Sequence, residues 1–335
     1  MRIIAAALKR RALITGAGGQ DGSLLAELLL AEGYEVSGII RRAPAAYAAN
    51  LSGVIDRIEL MEADLLEQDS LVAALTRSRA DEVYNLASPS FVPRSWDEPV
   101  HTAEFAAVGV TSLLEAIRAT DSGIRFYQAS SSEIFGTPFE TPQTEDTPLF
   151  PVTPYGVAKA YGHFITHSYR RRYGLFACCG ILYNHESPRR PVDFLPRKVA
   201  RAAASISLGR ESTLVLGDLD ARRDWGYAPD YVRAMWLILQ QKEPGNYIIA
   251  SGESHSVRDL VECAFARVGL DWQRHVRSDP DLRRGTAELY DLVGNPAKAH
   301  GLLDWRPTVT FEGLVEILVD AELELLSRPQ ATSSA

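Results

Sequence analysis

Hydrophobic and polar positions along the chain alternate between two rhythms. Short apolar runs read as strands, and longer stretches with apolar residues three and four apart read as helices. Arg11–Thr15 predicts a first strand. An amphipathic helix over Leu24–Ala31 follows, ended by Gly33. Tyr34–Ile40, Ile58–Glu62, Glu82–Leu86, Arg125–Ala129 and Cys178–Tyr183 predict strands two to six, and a long helix covers roughly His101–Ala119. Strands that alternate with helices in this way predict an α/β fold, a doubly wound parallel sheet with helices on both faces.

Beyond Asn184 the rhythm loosens. Pro188, Pro191 and Pro196 mark an irregular stretch, and short elements then alternate without a clear period to Leu326. The expected organisation is a dinucleotide-binding domain over 1–183, with later segments crossing back into it. A smaller, mainly substrate-binding region over 184–326 and a frayed tail over 327–335 complete it.

Charge narrows the partners. Asp plus Glu total 43 against 35 Lys plus Arg, a net −8, which argues against a nucleic-acid or membrane-surface partner. No apolar run is read as long enough to cross a bilayer, and the apolar stretch within Met1–Arg10 is short for a secretory leader. A cytoplasmic location is the expectation. The three cysteines, Cys178, Cys179 and Cys263, have no paired metal spacing, so no metal site is expected. The first two lie in an apolar run and read as buried, inert thiols.

The chemistry begins with Gly16-Ala17-Gly18-Gly19-Gln20-Asp21-Gly22, which follows a strand and opens a helix. Small residues there let backbone amides and a helix N-terminus approach a pyrophosphate. Strand two runs into Arg41-Arg42, where a carboxylate would select an unphosphorylated ribose; two guanidiniums suit a 2′-phosphate. Asp64-Leu65, after strand three, is placed to meet the adenine edge.

Tyr155 and Lys159 stand one helical turn apart on one face. An ammonium beside a phenol is expected to lower a pKa of about 10, making Tyr155 a base for a sugar hydroxyl. Ser131 lies at the end of strand five and supplies a second hydroxyl. Glu133, two residues further along an extended chain, is expected on the same side. Alcohol oxidation alone needs no such carboxylate, but loss of water does. Once C4 of a hexose is a ketone, a carboxylate can remove the C5 proton and pass a proton to the departing C6 hydroxyl. Two basic segments, Asn184–Arg190 and Ala221–Tyr227, suit a diphosphate-bearing substrate.

Gly16–Gly22, Gln128–Glu133, Tyr155–Lys159, Asn184–Arg190 and Arg222–Gly226 together resemble the extended short-chain dehydrogenases/reductases, and among them the GDP-mannose 4,6-dehydratase family. The resemblance runs from about Arg11 to Leu326. It implies a Rossmann core, bound NADP and a GDP-sugar substrate. In catalysis it implies Tyr155 as base, Lys159 as its modulator, Ser131 in place of the family's usual Thr, and Glu133 as elimination acid/base. Around the cofactor it implies Gly16, Gly19, Gln20, Asp21, Gly22, Arg41, Arg42, Asp64 and Leu65. Leu86, Ala87, His185 and Arg190 join them, beside Tyr155 and Lys159 themselves. Around the substrate it implies Ser90, Asn184, Lys198, Arg223 and Glu288. A homodimer through paired long helices, or a homotetramer, is the implied assembly. The sequence departs from the family pattern at Ala43–Tyr47, at Ser88-Pro89 and at Gly285-Thr286. A nucleotide-sugar decarboxylase or 4-epimerase of the same superfamily is the alternative enzyme. A silent dinucleotide-binding scaffold is the alternative of another class, and intact Ser131, Tyr155 and Lys159 speak against it.

Overall fold

A computed structural model describes residues 9–41, 49–282 and 291–328. Seven parallel strands form the central sheet: β1 (Arg11–Thr15), β2 (Glu35–Ile40), β3 (Glu59–Glu62), β4 (Glu82–Asn85), β5 (Arg125–Ser131), β6 (Ala177–Leu182) and β11 (Asn246–Ile249). Their spatial order is β11-β6-β5-β4-β1-β2-β3. The chain therefore winds one way from β1 to β3 and the other way from β4 onward. The reversal between β1 and β4 opens a crevice at the strands' carboxyl ends, where ligands bind in such sheets.

Alternation along the strands divides the core in two. Ala12 and Ile14 of β1 face helices α1 (Gln20–Ala31) and α6 (Ala228–Leu239) with Tyr127 and Tyr247. Leu13, Val83 and Phe126 point to the other face, under α2 (Gln68–Ser78) and α3 (Pro99–Thr120), while α4 (Pro154–Tyr173) packs beside α3. Helix α3 contains a wide turn over Glu104–Val108 and is long and apolar enough to cross a membrane, contrary to the sequence expectation. Half of its most apolar stretch is buried inside this fold, against the sheet and α4, while Val100 and Val108 stay exposed.

Six strands fall where their apolar runs predict them, with shifts at the ends. Helix α1 begins at Gln20, four residues before the periodic apolar stretch, because Gly19 caps it directly after the glycine turn. The seventh strand, β11, escapes sequence reading: it lies beyond Asn184, where the alternation of strands and helices has loosened. With α6 it returns from the second half of the chain to complete the large sheet.

A separate apolar cluster gathers around α5 (Leu195–Ser207), α7 (Val257–Arg267) and α9 (Phe311–Ser327), the last following a short α8 (Ala297–Leu303). Three two-stranded ribbons accompany it: β7 (Asn184–Glu186) with β10 (Trp225–Tyr227), β9 (Arg222–Arg223) with β12 (His255–Ser256), and β8 (Leu214–Leu216) with β13 (Val276–Ser278).

Candidate active site

The crevice at the β1/β4 reversal is built on glycines that tolerate no side chain. Gly16 has φ +70°, and a Cβ there would come within 3.0 Å of the Ala87 backbone. A Cβ on Gly22 would come within 2.3 Å of the Gly16 carbonyl oxygen, so the first turn of α1 lies directly against the loop. The result is a close-packed turn at a helix N-terminus, the geometry a pyrophosphate needs. Gly19 stands as the N-cap residue of α1 with no side chain in the way.

A buried polar row braces this edge. Thr15, Asn85 and Gln128 are register neighbours on β1, β4 and β5. Thr15 Oγ1 accepts from the Leu86 and Ala87 amides at 3.1 Å each and donates to Asn85 Oδ1 at 2.6 Å. Asn85 donates to Gln128 Oε1 at 2.8 Å, and Gln128 donates to the Ala129 carbonyl at 3.0 Å. That carbonyl also accepts from Lys159 Nζ at 3.0 Å. Thr15 and Asn85 belong to no motif, and Gln128 only opens the Gln128–Glu133 segment; the available signal is a polar residue near the carboxyl end of three predicted apolar strands.

Arg41 is described at the end of β2, exposed, with its guanidinium 4.6 Å from the Phe105 ring centre. Arg42 lies outside the described residues, as do Glu288, Ala43–Tyr47 and Gly285-Thr286. Asp64 is half-buried and caps its own turn by accepting from the Leu66 amide at 2.9 Å, while Leu65 is buried against Gly109.

Ser131, Glu133, Tyr155 and Lys159 do converge. Ser131 ends β5, and its Oγ accepts from the Glu133 amide at 3.2 Å. Residues Ser132–Ile134 form a 3₁₀ turn, so the extended-chain argument for Glu133 is corrected: a capped turn, not strand alternation, sets its direction. Thr153 caps α4 by accepting from the Gly156 amide, and a Cβ on Gly156 would lie 2.6 Å from the Glu133 carbonyl oxygen. Glycine at that position lets the start of α4, and Tyr155 with it, close onto the Glu133 turn. Glu133 is half-buried, and its charge acts on the Tyr155 phenol.

The expected lowering of the Tyr155 pKa by Lys159 is not found. Burial pushes the phenol up to about 12. Hydrogen bonding with Ser131 pulls it back, Glu133 raises it further, and Arg190 opposes that rise. Lys159 is 5% exposed, and burial brings its ammonium down to about 8, with the Asp21 charge holding it up. Its Nζ lies 5.6 Å from the Tyr155 ring centre. Removal from water outweighs the spacing argument in both groups.

The two basic segments meet as the parallel ribbon β7–β10, with Asn184 opposite Trp225 and His185 opposite Gly226. They do not present four free guanidiniums. Arg189 donates to Ser23 and Glu27 of α1, and Arg222 donates to Ser254. Arg190 lies 3.4 Å from Glu186 and stacks on Phe194 at 3.7 Å. Arg223 is half-buried and donates to the Arg222 carbonyl at 2.6 Å. Asn184 is half-buried, whereas Lys198 and Ser90 are exposed. Gln20, Asp21 and His185 touch one another, with His185 Nε2 2.9 Å from Asp21 Oδ2.

The family profile described as GDP-mannose 4,6 dehydratase matches residues 13–318. A protein of Arabidopsis thaliana named GDP-mannose 4,6 dehydratase 1 is 45% identical, over 98% of this chain and 93% of its own length. The GDP-mannose 4,6-dehydratase of Vibrio cholerae is 41% identical, over 96% of each chain. Among solved structures, a dTDP-glucose 4,6-dehydratase of Streptomyces venezuelae with NAD bound superposes with a TM-score of 0.84. It is 27% identical, and the match covers 94% of this chain and 97% of that one.

Proposed function

The chain belongs to the GDP-mannose 4,6-dehydratase family, and from that premise we propose that it is a hydro-lyase converting GDP-D-mannose to GDP-4-keto-6-deoxy-D-mannose and water. The observation that carries the reading is the convergence of Glu133 with Tyr155, Ser131 and Lys159 at one sheet edge. An alcohol dehydrogenation site needs only the last three.

The glycine cradle of Gly16 and Gly22 fits a dinucleotide pyrophosphate, since the space a Cβ would need is taken by backbone. Arg41 supports NADP over NAD by placing a guanidinium at the end of β2. When bound, the nicotinamide supplies a hydride acceptor at C4, a hydride donor at C6 and a positive ring that favours the Tyr155 phenolate.

The chain's own groups handle protons. Ser131 hydrogen-bonds the C4 oxygen and Tyr155 takes its proton, with Lys159 and Arg190 as the cations that offset the cost of a buried phenolate. Glu133 removes the C5 proton, acidified by the C4 ketone, and passes it to the departing C6 hydroxyl; as hydride returns to C6, C5 takes up a proton, which balances the one Tyr155 took from the C4 hydroxyl. The sum is loss of one water with no net redox change. Asn184, Lys198 and Arg223 are the proposed contacts to the nucleotide diphosphate.

The assembly we propose is a homodimer through α3 and α4. Val157, Tyr161 and Phe164 of α4 are exposed at helical spacing, beside exposed Val100 and Val108 of α3. Light scattering of the purified protein tests it; a monomer would contradict it.

Mass analysis of the product from GDP-mannose tests the activity. Loss of one water is the expected outcome. An isomer of unchanged mass would indicate an epimerase and overturn the proposal.

A further inference from the structure

We propose that Gln20, Asp21, His185 and Ser187 form a joint that couples cofactor binding to nucleotide-sugar binding. The inference rests on the reading of these two sites given above. Gln20 and Asp21 occupy the first turn of α1, whose backbone amides face the glycine cradle. Their side chains turn to the segment that begins the substrate ribbon. Gln20 Nε2 donates to Asp21 Oδ1 at 2.9 Å and to the His185 carbonyl at 3.1 Å, and Gln20 Oε1 accepts from Ser187 Oγ at 2.8 Å. Both amide hydrogens and the amide oxygen are thereby engaged.

His185 completes the joint. Its Nε2 meets Asp21 Oδ2 at 2.9 Å and its Nδ1 meets the Tyr183 carbonyl at 2.7 Å, so both ring nitrogens face oxygens. That is the pattern of a doubly protonated ring. Burial and the Asp21 charge act oppositely on His185 and the carboxylate prevails, so its pKa is raised. The ring stacks on Tyr231 of α6 with centres 4.7 Å apart, and Tyr231 also lies against Gly226 of β10, where a Cβ would be 2.3 Å away. One aromatic ring thus touches both strands of the ribbon.

A rigid path therefore runs from the phosphate-binding turn through His185 to β7, and across the register to β10 beside Arg223. A ligand that fixes either end restricts the other. By linkage, each ligand then tightens the other by the same factor. These four side chains are positioning residues, acting through the two backbone segments they join.

Calorimetric titration of the full-length protein with NADPH, with and without saturating GDP, tests this. In the wild type, GDP should tighten NADPH about tenfold, within the usual range for coupled sites, and NADPH should tighten GDP equally. Ser187→Ala should reduce that factor towards one while each ligand still binds alone. It removes a single hydroxyl, the donor to Gln20 Oε1, and a melting curve checks that the variant is folded. Undiminished coupling in Ser187→Ala, or none in the wild type with both ligands bound, would overturn the joint. Failure of the wild type to bind GDP at all would instead overturn the nucleotide-sugar reading on which the joint rests.

Discussion

Two buried polar clusters, one around Tyr155 and Lys159 and the other around Asp21 and His185, respond to burial in opposite ways. In the second, each charge has a partner at hydrogen-bond distance. Burial pushes the Asp21 carboxyl up, but His185, Gln20 and Arg190 hold it down at about 2. In the first, Lys159 donates, among the described residues, only to a neutral carbonyl and drops to about 8, while the phenol climbs to about 12. A paired buried charge holds backbone segments in place; an underpaired one stands ready to exchange a proton. The same removal from water yields structure in one place and reactivity in the other.

Substitutions that separate chemistry from structure break or sharpen that contrast. Tyr155→Phe should lower kcat by about 10³-fold, within the range for general acid–base groups, and leave the melting temperature nearly unchanged. Steady-state kinetics with a melting curve shows both; a large loss of stability would put Tyr155 in the structural class. Glu133→Gln should suppress water loss by about 10²-fold or more while exchange of the C4 hydrogen with the cofactor continues. Loss of both steps together would mean that Glu133 serves the oxidation.

Stability should move in opposite directions in the two clusters. Asp21→Asn breaks a buried pair and should destabilise the protein by about 3 kcal/mol, measured by urea unfolding. Lys159→Met removes an underpaired buried ammonium and should stabilise it by up to about 3 kcal/mol near neutral pH, at the cost of activity. The sign follows from linkage: the folded pKa of Lys159, about 8, lies below its ordinary value of 10.5. The unfolded chain binds more protons between those values, so wild-type stability rises with pH across that window. The advantage of Lys159→Met should be full below about pH 8 and vanish as pH approaches 10.5. An advantage that does not change with pH would trace it to packing.

The fold was legible as far as local pattern carries. Strands β1, β2, β4, β5 and β6 are largely buried and β3 is an exposed edge, yet all six keep step with the helices between them, whereas β11 lies where that alternation has loosened and is placed by the strand it pairs with. The reacting residues were legible because glycine turns and a one-turn Tyr-Lys spacing are local. The Asp21–His185 contact, between residues 164 apart in the chain, was not. Nor was the rise in the Tyr155 pKa, since burial is a property of the whole packed edge. The Arg-rich segments show the opposite limit: Arg189 and Arg222 look like phosphate ligands in sequence, yet the fold commits them to Ser23, Glu27 and Ser254.

The central claim is that Tyr155 and Glu133 act on one sugar ring, so that a hydride taken from C4 is returned to C6 after water leaves. GDP-mannose carrying deuterium at C4, turned over by the purified protein, tests it most directly. The account predicts product with deuterium at C6 and none at C4. Product with deuterium retained at C4, or dehydrated product with no deuterium at C6, would contradict it.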